Sequence, residues 1–386
     1  MYVHNRADCT RAPGHNPIGK PQESQTVLSA PITDAAGLAA AAAALAQHDT
    51  IGLDTEFMRE RTYFAQLCLV QLSADGIALC VDPLALDSLE PLRPLMGAAG
   101  ICKILHAARQ DLEVLAPAVG ALQNIFDTQV AAALVGFPAQ IGYADLLRET
   151  LGVDLHKNQT RTDWSRRPLS AAQIDYALDD VRHLPPLRVH LSARLEALGR
   201  RAWFDEEMIR VGGESLTPDP DQAWLRIKSF AELDPDRQRL ARSRAAWRER
   251  RAISSNRPRG WILPDPALRD LVLQLPRDRG ALERLRELPD GIRENSGAQL
   301  LELISAAAVP HPAAPLPQRR RPDPAWLEKV ARLADITRRV SSELSVAPEI
   351  LATRRDLERL ADGQLEGSAL NGWRRAAIGE ELLKAL

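Results

Sequence analysis

Ile51-Gly52-Leu53-Asp54-Thr55-Glu56-Phe57 sets two carboxylates two places apart inside an apolar, β-favouring run. On a strand, alternate residues share a face, so Asp54 and Glu56 project together while Leu53 and Phe57 can enter a core. Such a pair alone is usually solvated surface. Two further segments change its meaning. In His106-Ala107-Ala108-Arg109-Gln110-Asp111-Leu112, Asp111 opens a helix after a β-like run, where free N–H groups stabilise a carboxylate. In Tyr176-Ala177-Leu178-Asp179-Asp180, Tyr176 and Asp180 are four apart on a helical pattern and therefore share one face. Asp179 lies round the helix and stays open as a weaker alternative.

Burying several unpaired carboxylates together costs several kcal/mol each unless positive charge compensates them. A hard divalent cation such as Mg²⁺, which takes oxygen ligands and shares them with phosphate, is the natural compensator. These residue types in this order point to phosphodiester chemistry.

Outward from this stretch the pattern is mixed α/β. β-rich runs are expected at Thr50 to Phe57, Gln66 to Leu72, Ile77 to Val81 and Ile101 to His106. Ser73-Ala74-Asp75-Gly76 joins two of them as a hairpin, because Asp-Gly accepts the positive φ of a tight turn. The Ala-rich stretch from Ala35 to Ala46 reads as a helix, too short and too weakly apolar to span a bilayer.

With 386 residues, two or three domains are expected. The reading divides the chain into a flexible extension at 1–25, an α/β domain at 26–215, a helical unit at 221–303, a Pro-rich linker at 304–320 and a second helical unit at 321–386. The break at Val309-Pro310-His311-Pro312 cannot be helical, since its prolines remove donors and clash with the preceding turn. Cys9, Cys68, Cys80 and Cys102 form no CxxC pair and read as reduced thiols, which suggests a cytoplasmic location. The first residues lack the apolar core of a secretory signal. A net charge of -2 carries no global nucleic-acid signal, so polyanion binding must rest on local patches.

The sequence resembles the ribonuclease D family of the DEDD superfamily of 3′→5′ exonucleases. The resemblance rests on Asp54-Thr55-Glu56-Phe57, on Leu105-His106-Ala107 with Asp111-Leu112-Glu113, and on Tyr176-Ala177 with Asp180. The segment from Lys157 to Leu169 is similar to the one that precedes the third motif. Position 175 is an aspartate where a related branch carries histidine, so the tyrosine branch is implied. Residues near 221–303 resemble the helicase-and-RNase-D C-terminal (HRDC) domain through Arg244-Ala245-Ala246-Trp247-Arg248-Glu249-Arg250-Arg251 and Trp261-Ile262-Leu263-Pro264-Asp265. The second unit does so more weakly, through Leu370-Asn371-Gly372-Trp373-Arg374.

The resemblance implies a ribonuclease H-like mixed-sheet exonuclease domain followed by two small all-α HRDC-like bundles. It further implies that Asp54, Glu56, Asp111 and Asp180 hold two divalent ions, Mg²⁺ or Mn²⁺, with Asp54 as the bridge. Tyr176 would orient the attacking water. The expected reaction is stepwise release of 5′-nucleoside monophosphates from RNA 3′ ends, with tRNA precursors as substrates and a monomer away from membranes as the working form.

Lys157, Arg161 and Arg166 are candidate phosphate contacts. His106, Gln66, Gln71 and Trp164 read as structural: a hydrogen-bonded His, two strand-surface amides and a Trp that can be core. Between 221 and 260, eleven Lys and Arg stand against five Asp and Glu, a net of +6, with Trp224, Trp247 and Trp261 interleaved. Such a patch can neutralise phosphates, although tryptophans in small bundles are usually core. Two alternatives stay open at this point: a DNA 3′→5′ exonuclease, since the motifs do not read the 2′-OH, and a non-catalytic RNA-binding adaptor.

Overall fold

The structure, a computed structural model, describes residues 26–27, 30–155, 162–213, 216, 218–227, 230, 233–306 and 323–386. The 1–25 extension, most of the 304–320 linker, and Lys157 and Arg161 lie outside the described residues.

The N-terminal part is a six-stranded mixed sheet in the order β1-β4-β3-β2-β5-β6. Its strands are β1 (Thr26–Val27), β2 (Thr50–Met58), β3 (Gln66–Ala74), β4 (Ile77–Val81), β5 (Cys102–Leu105) and β6 (Ile125–Asp127). β2, β3 and β4 are antiparallel, whereas β5 and β6 run parallel to β2. The Asp75-Gly76 turn joins β3 to β4, with Gly76 at φ +71. Each predicted strand is present; β1 and β6, only two and three residues long, are too short for periodicity to mark.

Helices α1 (Ala35–Leu45), α2 (Arg93–Gly97), α3 (Arg109–Val119), α4 (Thr128–Leu134), α5 (Tyr143–Leu151), α6 (Ala171–Arg182), α7 (Leu184–Ala197) and α8 (Arg201–Gly213) surround the sheet. α1 and α3 bury Leu38, Leu45, Leu112 and Leu115 against one sheet face, beside Ile51, Leu53, Val70 and Leu72. α6 covers the other, packing Ile174, Ala177 and Leu178 on Leu69, Ala78 and Cys80. Cys68, Cys80 and Cys102 are buried free thiols.

Beyond position 218 the described residues contain no strand. Helices α9 (Pro235–Ser255), α10 (Arg259–Ile262), α11 (Asp265–Gln274), α12 (Arg279–Glu283) and α13 (Asp290–Ala306) enclose a core of their own. Trp224 is buried in it, Trp247 packs against its edge, and Trp261 is exposed beneath the Arg257 guanidinium. The +6 of this segment overstates its free charge. Arg244 and Arg248 are buried, while Arg226, Arg239, Arg250 and Arg259 are each paired with a carboxylate.

The C-terminal helices α14 (Pro324–Leu344), α15 (Pro348–Leu351) and α16 (Arg354–Ala361) do not form a separate core. Leu333, Val340, Leu351, Leu357 and Trp373 belong to one continuous apolar cluster with Phe126, Leu187, Leu191 and Phe204 of the α/β part. Trp373 stacks on Trp203 at a ring-centre distance of 4.4 Å and donates from Nε1 to Glu207 at 2.9 Å. Arg374 also pairs with the buried Glu207.

Candidate metal centre and active site

The site lies where three elements meet: the latter half of β2, the start of α3 and the end of α6. β2 carries Asp54 and Glu56 on the face that α6 covers. A register shift between Glu56 and Phe57 then bends the strand just past both acids. α6 can approach because Gly52 has no side chain: a Cβ there would lie 2.3 Å from Ser73 Oγ and 3.0 Å from the Val181 carbonyl. Ser73 donates to that same carbonyl at 2.7 Å and pins the end of α6 to the sheet. The start of α6 is set by a reciprocal cap between Ser170 and Gln173.

Asp54, Glu56 and Asp180 consequently come together, with one carboxylate oxygen from each within 4.8 Å of the others. They line a cleft of about 230 Å³ with Thr55, His106, Tyr143, Tyr176 and Leu184. Asp111 is buried beside this trio without joining the 4.8 Å group, and accepts a 2.5 Å hydrogen bond from Thr55 Oγ1. Its helix is held in place by Asp127, which accepts from the Ala107 and Ala108 N–H groups at 3.1 and 2.9 Å and also caps α4.

Burial, followed by repulsion from Asp111, Asp180 and Glu56, raises the Asp54 carboxyl well above its usual range. Burial and then Asp180 and Asp111 push Glu56 up to about 8. Asp180 rises to about 7 through burial, Asp179 and Asp111. Asp111 rises to about 7 through burial, against the lowering effect of the Thr55 hydrogen bond. Carboxylates forced together in this way resist ionisation unless positive charge joins them. An all-oxygen donor set of this kind suits a divalent metal. The chain therefore has a divalent-metal-binding acidic centre.

Tyr176 stands at the cleft on α6, and burial followed by Asp180, Glu56 and Asp54 raises its phenol above the ordinary value. The buried Trp164 lies behind it, 6.2 Å between ring centres. Asp179 turns aside and pairs with Arg182 at 2.6 Å. His106 is structural: its Nε2 donates to the Ile141 carbonyl at 3.0 Å and its Nδ1 meets Thr128 Oγ1 at 2.9 Å.

Of the three candidate phosphate contacts, only Arg166 is described. Its side chain is 84% exposed, paired with Asp163 and absent from the cleft lining. The neighbouring Arg167 instead grips Asp82 through two contacts of 2.5 and 2.6 Å and anchors the segment to the end of β4. Gln66 is exposed as expected. Gln71 is not: it sits opposite Asp54 on β3 and is fully buried, because α6 covers the middle strands. Sequence reasoning also missed Tyr143, at the start of α5, whose buried hydroxyl faces the acidic cleft. Thr55 was visible only as the residue between two acids.

Comparison with known proteins agrees with this geometry. The family described as 3'-5' exonuclease matches residues 30–196, and the HRDC domain family matches 231–304. The chain is 37% identical over 362 residues to a ribonuclease D of Zymomonas mobilis, covering 91% of this chain and 92% of that one. It is 40% identical over 345 residues to a ribonuclease D of Gluconacetobacter diazotrophicus, covering 86% of each. Among solved structures it resembles Escherichia coli RNase D, described as an exoribonuclease involved in structured RNA processing, with a TM-score of 0.83, 29% identity and coverage of 94% and 99%. This extent of similarity, together with the acidic cleft, sets aside the non-catalytic adaptor: the chain belongs to the ribonuclease D family and is a 3′→5′ exoribonuclease.

Proposed function

We propose that this exoribonuclease trims the 3′ ends of tRNA precursors, releasing 5′-nucleoside monophosphates, with Asp54, Glu56, Asp111 and Asp180 as the ligands of two Mg²⁺ or Mn²⁺ ions. The observation that carries the reading is the placement of Asp54. It belongs to the close trio with Glu56 and Asp180, and of all its charged neighbours it is repelled most strongly by Asp111. Asp54 thus stands in the close trio and against Asp111 at once, and Glu56 and Asp180 feel Asp111 as well.

When bound, the paired ions supply a nucleophile at neutral pH and stabilise charge on both the entering and leaving oxygens. The chain's own residues do the rest. Glu56 and Asp180 stand with Asp54 in the close trio, and Thr55 holds Asp111 beside it. Tyr176 keeps its proton, because its phenol is raised further from neutrality, and so it serves as a hydrogen-bonding group that orients water and not as a base. Leu184 gives the cleft an apolar wall, and the buried Trp164 backs Tyr176.

The domain limits 26–215, 221–303 and 321–386 remain our working division, with the last unit built onto the exonuclease core. A monomer acting in the cytoplasm is the working form that we infer. No helix among the described residues is long and apolar enough to cross a membrane.

The deciding assay offers a 5′-labelled tRNA precursor, and matched RNA and DNA oligonucleotides, with Mg²⁺ or Mn²⁺. Stepwise 3′ shortening of the precursor and of RNA, abolished by Asp54→Asn, is the expected result. Equal or faster loss of DNA would replace the RNA substrate with the DNA alternative.

A further inference from the structure

A second cavity, of about 370 Å³, lies at the seam between the exonuclease domain and the first helical unit. Its lining includes Arg59, Arg109, Arg226 and Arg259, with Tyr63 and Glu113. Two arginines come from each side of the seam, so the cavity exists only when the two parts are docked. The docking is specific. Tyr63 donates its hydroxyl to the fully buried Glu249, Arg259 lies 5.4 Å over the Tyr63 ring, and the Phe64 N–H donates to Asn256 Oδ1 at 3.0 Å.

Among the described residues, two carboxylates serve three of these guanidinium groups. Glu113 pairs with Arg59 at 3.0 Å, and Glu249 is shared by Arg226 and Arg259 at 3.5 and 2.8 Å. Arg59, Arg226 and Arg259 share these two carboxylates, so the three guanidiniums exceed them by one positive charge, and Arg109 adds a fourth guanidinium to the wall. Each guanidinium carries five donors in a planar fork suited to phosphate, and one carboxylate contact does not exhaust them. The Arg59 and Arg226 side chains are 43% and 50% exposed, within reach of an entering ligand.

The seam draws two of its arginines from the same two elements that carry the acids or from the residues next to them. Arg59 follows Glu56 by three residues, which limits their Cα separation to about 11 Å. Arg109 precedes Asp111 by two residues on α3, and Glu113, the partner of Arg59, follows Asp111 by two. An RNA strand with its 3′ end in the cleft must continue in the 5′ direction, and Arg59 and Arg109 stand within a few chain positions of two of the acids.

We propose that the Arg59–Arg109–Arg226–Arg259 cavity is a phosphodiester-binding subsite that grips the RNA backbone on the 5′ side of the scissile bond and makes strand binding depend on the docked helical unit. The inference rests on the exoribonuclease reading of the acidic cleft. It assigns the strand-holding role to a preformed interdomain cavity in place of the diffuse charge of the 221–260 segment.

The test uses the full chain in EDTA, with a fluorescent single-stranded oligoadenylate bearing a free 3′-hydroxyl titrated over a range of KCl. Arg59→Gln and Arg226→Gln should each weaken binding about tenfold and flatten the slope of log Kd against log salt by about 0.7 per lost phosphate contact. The double variant should lose about twice that slope. Arg226→Lys should keep the slope while recovering only part of the affinity, and Arg355→Gln, on the exposed surface of α16, should alter neither. Melting temperatures within a few degrees of the parent establish that the variants fold. A double variant with the parent's affinity and slope overturns the subsite while leaving the exonuclease intact. A parent chain that binds no RNA at any salt overturns the RNA reading together with the subsite.

Discussion

Thr55 Oγ1 donates a 2.5 Å hydrogen bond to Asp111 Oδ1 across 56 residues of chain, joining the strand that carries Asp54 and Glu56 to the helix that carries the fourth acid. Strand alternation turns Thr55 away from its two acidic neighbours, toward the face on which α3 packs. One β2 segment therefore addresses both halves of the acidic cluster: the trio on the α6 side and Asp111 on the other.

Removing that hydroxyl should damage catalysis without removing a ligand. Thr55→Val keeps the strand and its packing but frees Asp111 and takes away a bond that favours its ionised form. A loss of about 10- to 100-fold in metal affinity or kcat is expected, the usual effect of deleting a group that orients a ligand. Metal titration and single-turnover cleavage measure it, and an unchanged Mg²⁺ dependence would contradict the role.

The metal-free chain should become less stable as pH rises. Folding raises Glu56 to about 8 and Asp111 and Asp180 to about 7, whereas unfolded carboxyls titrate near about 4. The folded state therefore binds protons more tightly in this window. The contribution of the cluster to stability is full below about pH 4 and is lost as pH climbs through 7 to 8. Denaturant melts in EDTA should show this slope, and Mg²⁺ should raise the melting temperature more at pH 8 than at pH 5.5, since metal and protons compete.

Neutralising one member of a repelling cluster should stabilise the empty site while destroying the working one. Asp180→Asn is expected to raise the melting temperature in EDTA at pH 8 by a few degrees, on the order of 1 kcal/mol, while abolishing Mg²⁺-dependent stabilisation and cleavage. Retained stabilisation by Mg²⁺ would argue that Asp180 is not a ligand.

Gly52 is predicted to govern the distance between α6 and β2. Gly52→Val would place side-chain atoms where Ser73 Oγ and the Val181 carbonyl now sit, forcing the end of α6 outward and carrying Asp180 away from Asp54. Cleavage should fall by at least about tenfold, and destabilisation of about 1–3 kcal/mol is typical of an overpacked site. Thermal melts and initial rates report both.

The C-terminal helices should unfold with the exonuclease domain and not as a separate transition. Trp373→Ala removes the stack on Trp203 and the Glu207 contact, at a cost of about 3–5 kcal/mol. Calorimetry should show the exonuclease transition move to lower temperature, and an independent low-temperature peak with the main transition unmoved would refute the shared core.

The chemistry of this protein was legible before its shape. Period-two spacing placed Asp54 and Glu56 on one strand face, and four-residue spacing placed Tyr176 and Asp180 on one helix face, because those relations depend only on local backbone geometry. Asp75-Gly76 marked its hairpin for the same local reason. Tertiary packing decided the rest. Gln71 became a buried neighbour of Asp54 because α6 lies over the middle of the sheet, Tyr143 entered the cleft from a helix that carries no acidic motif, and four separated arginines met at one seam. No local period encodes such approaches, since they depend on which faces pack and how closely. Even the absence of a side chain at Gly52 acquires its meaning only when Val181 arrives from 129 positions away.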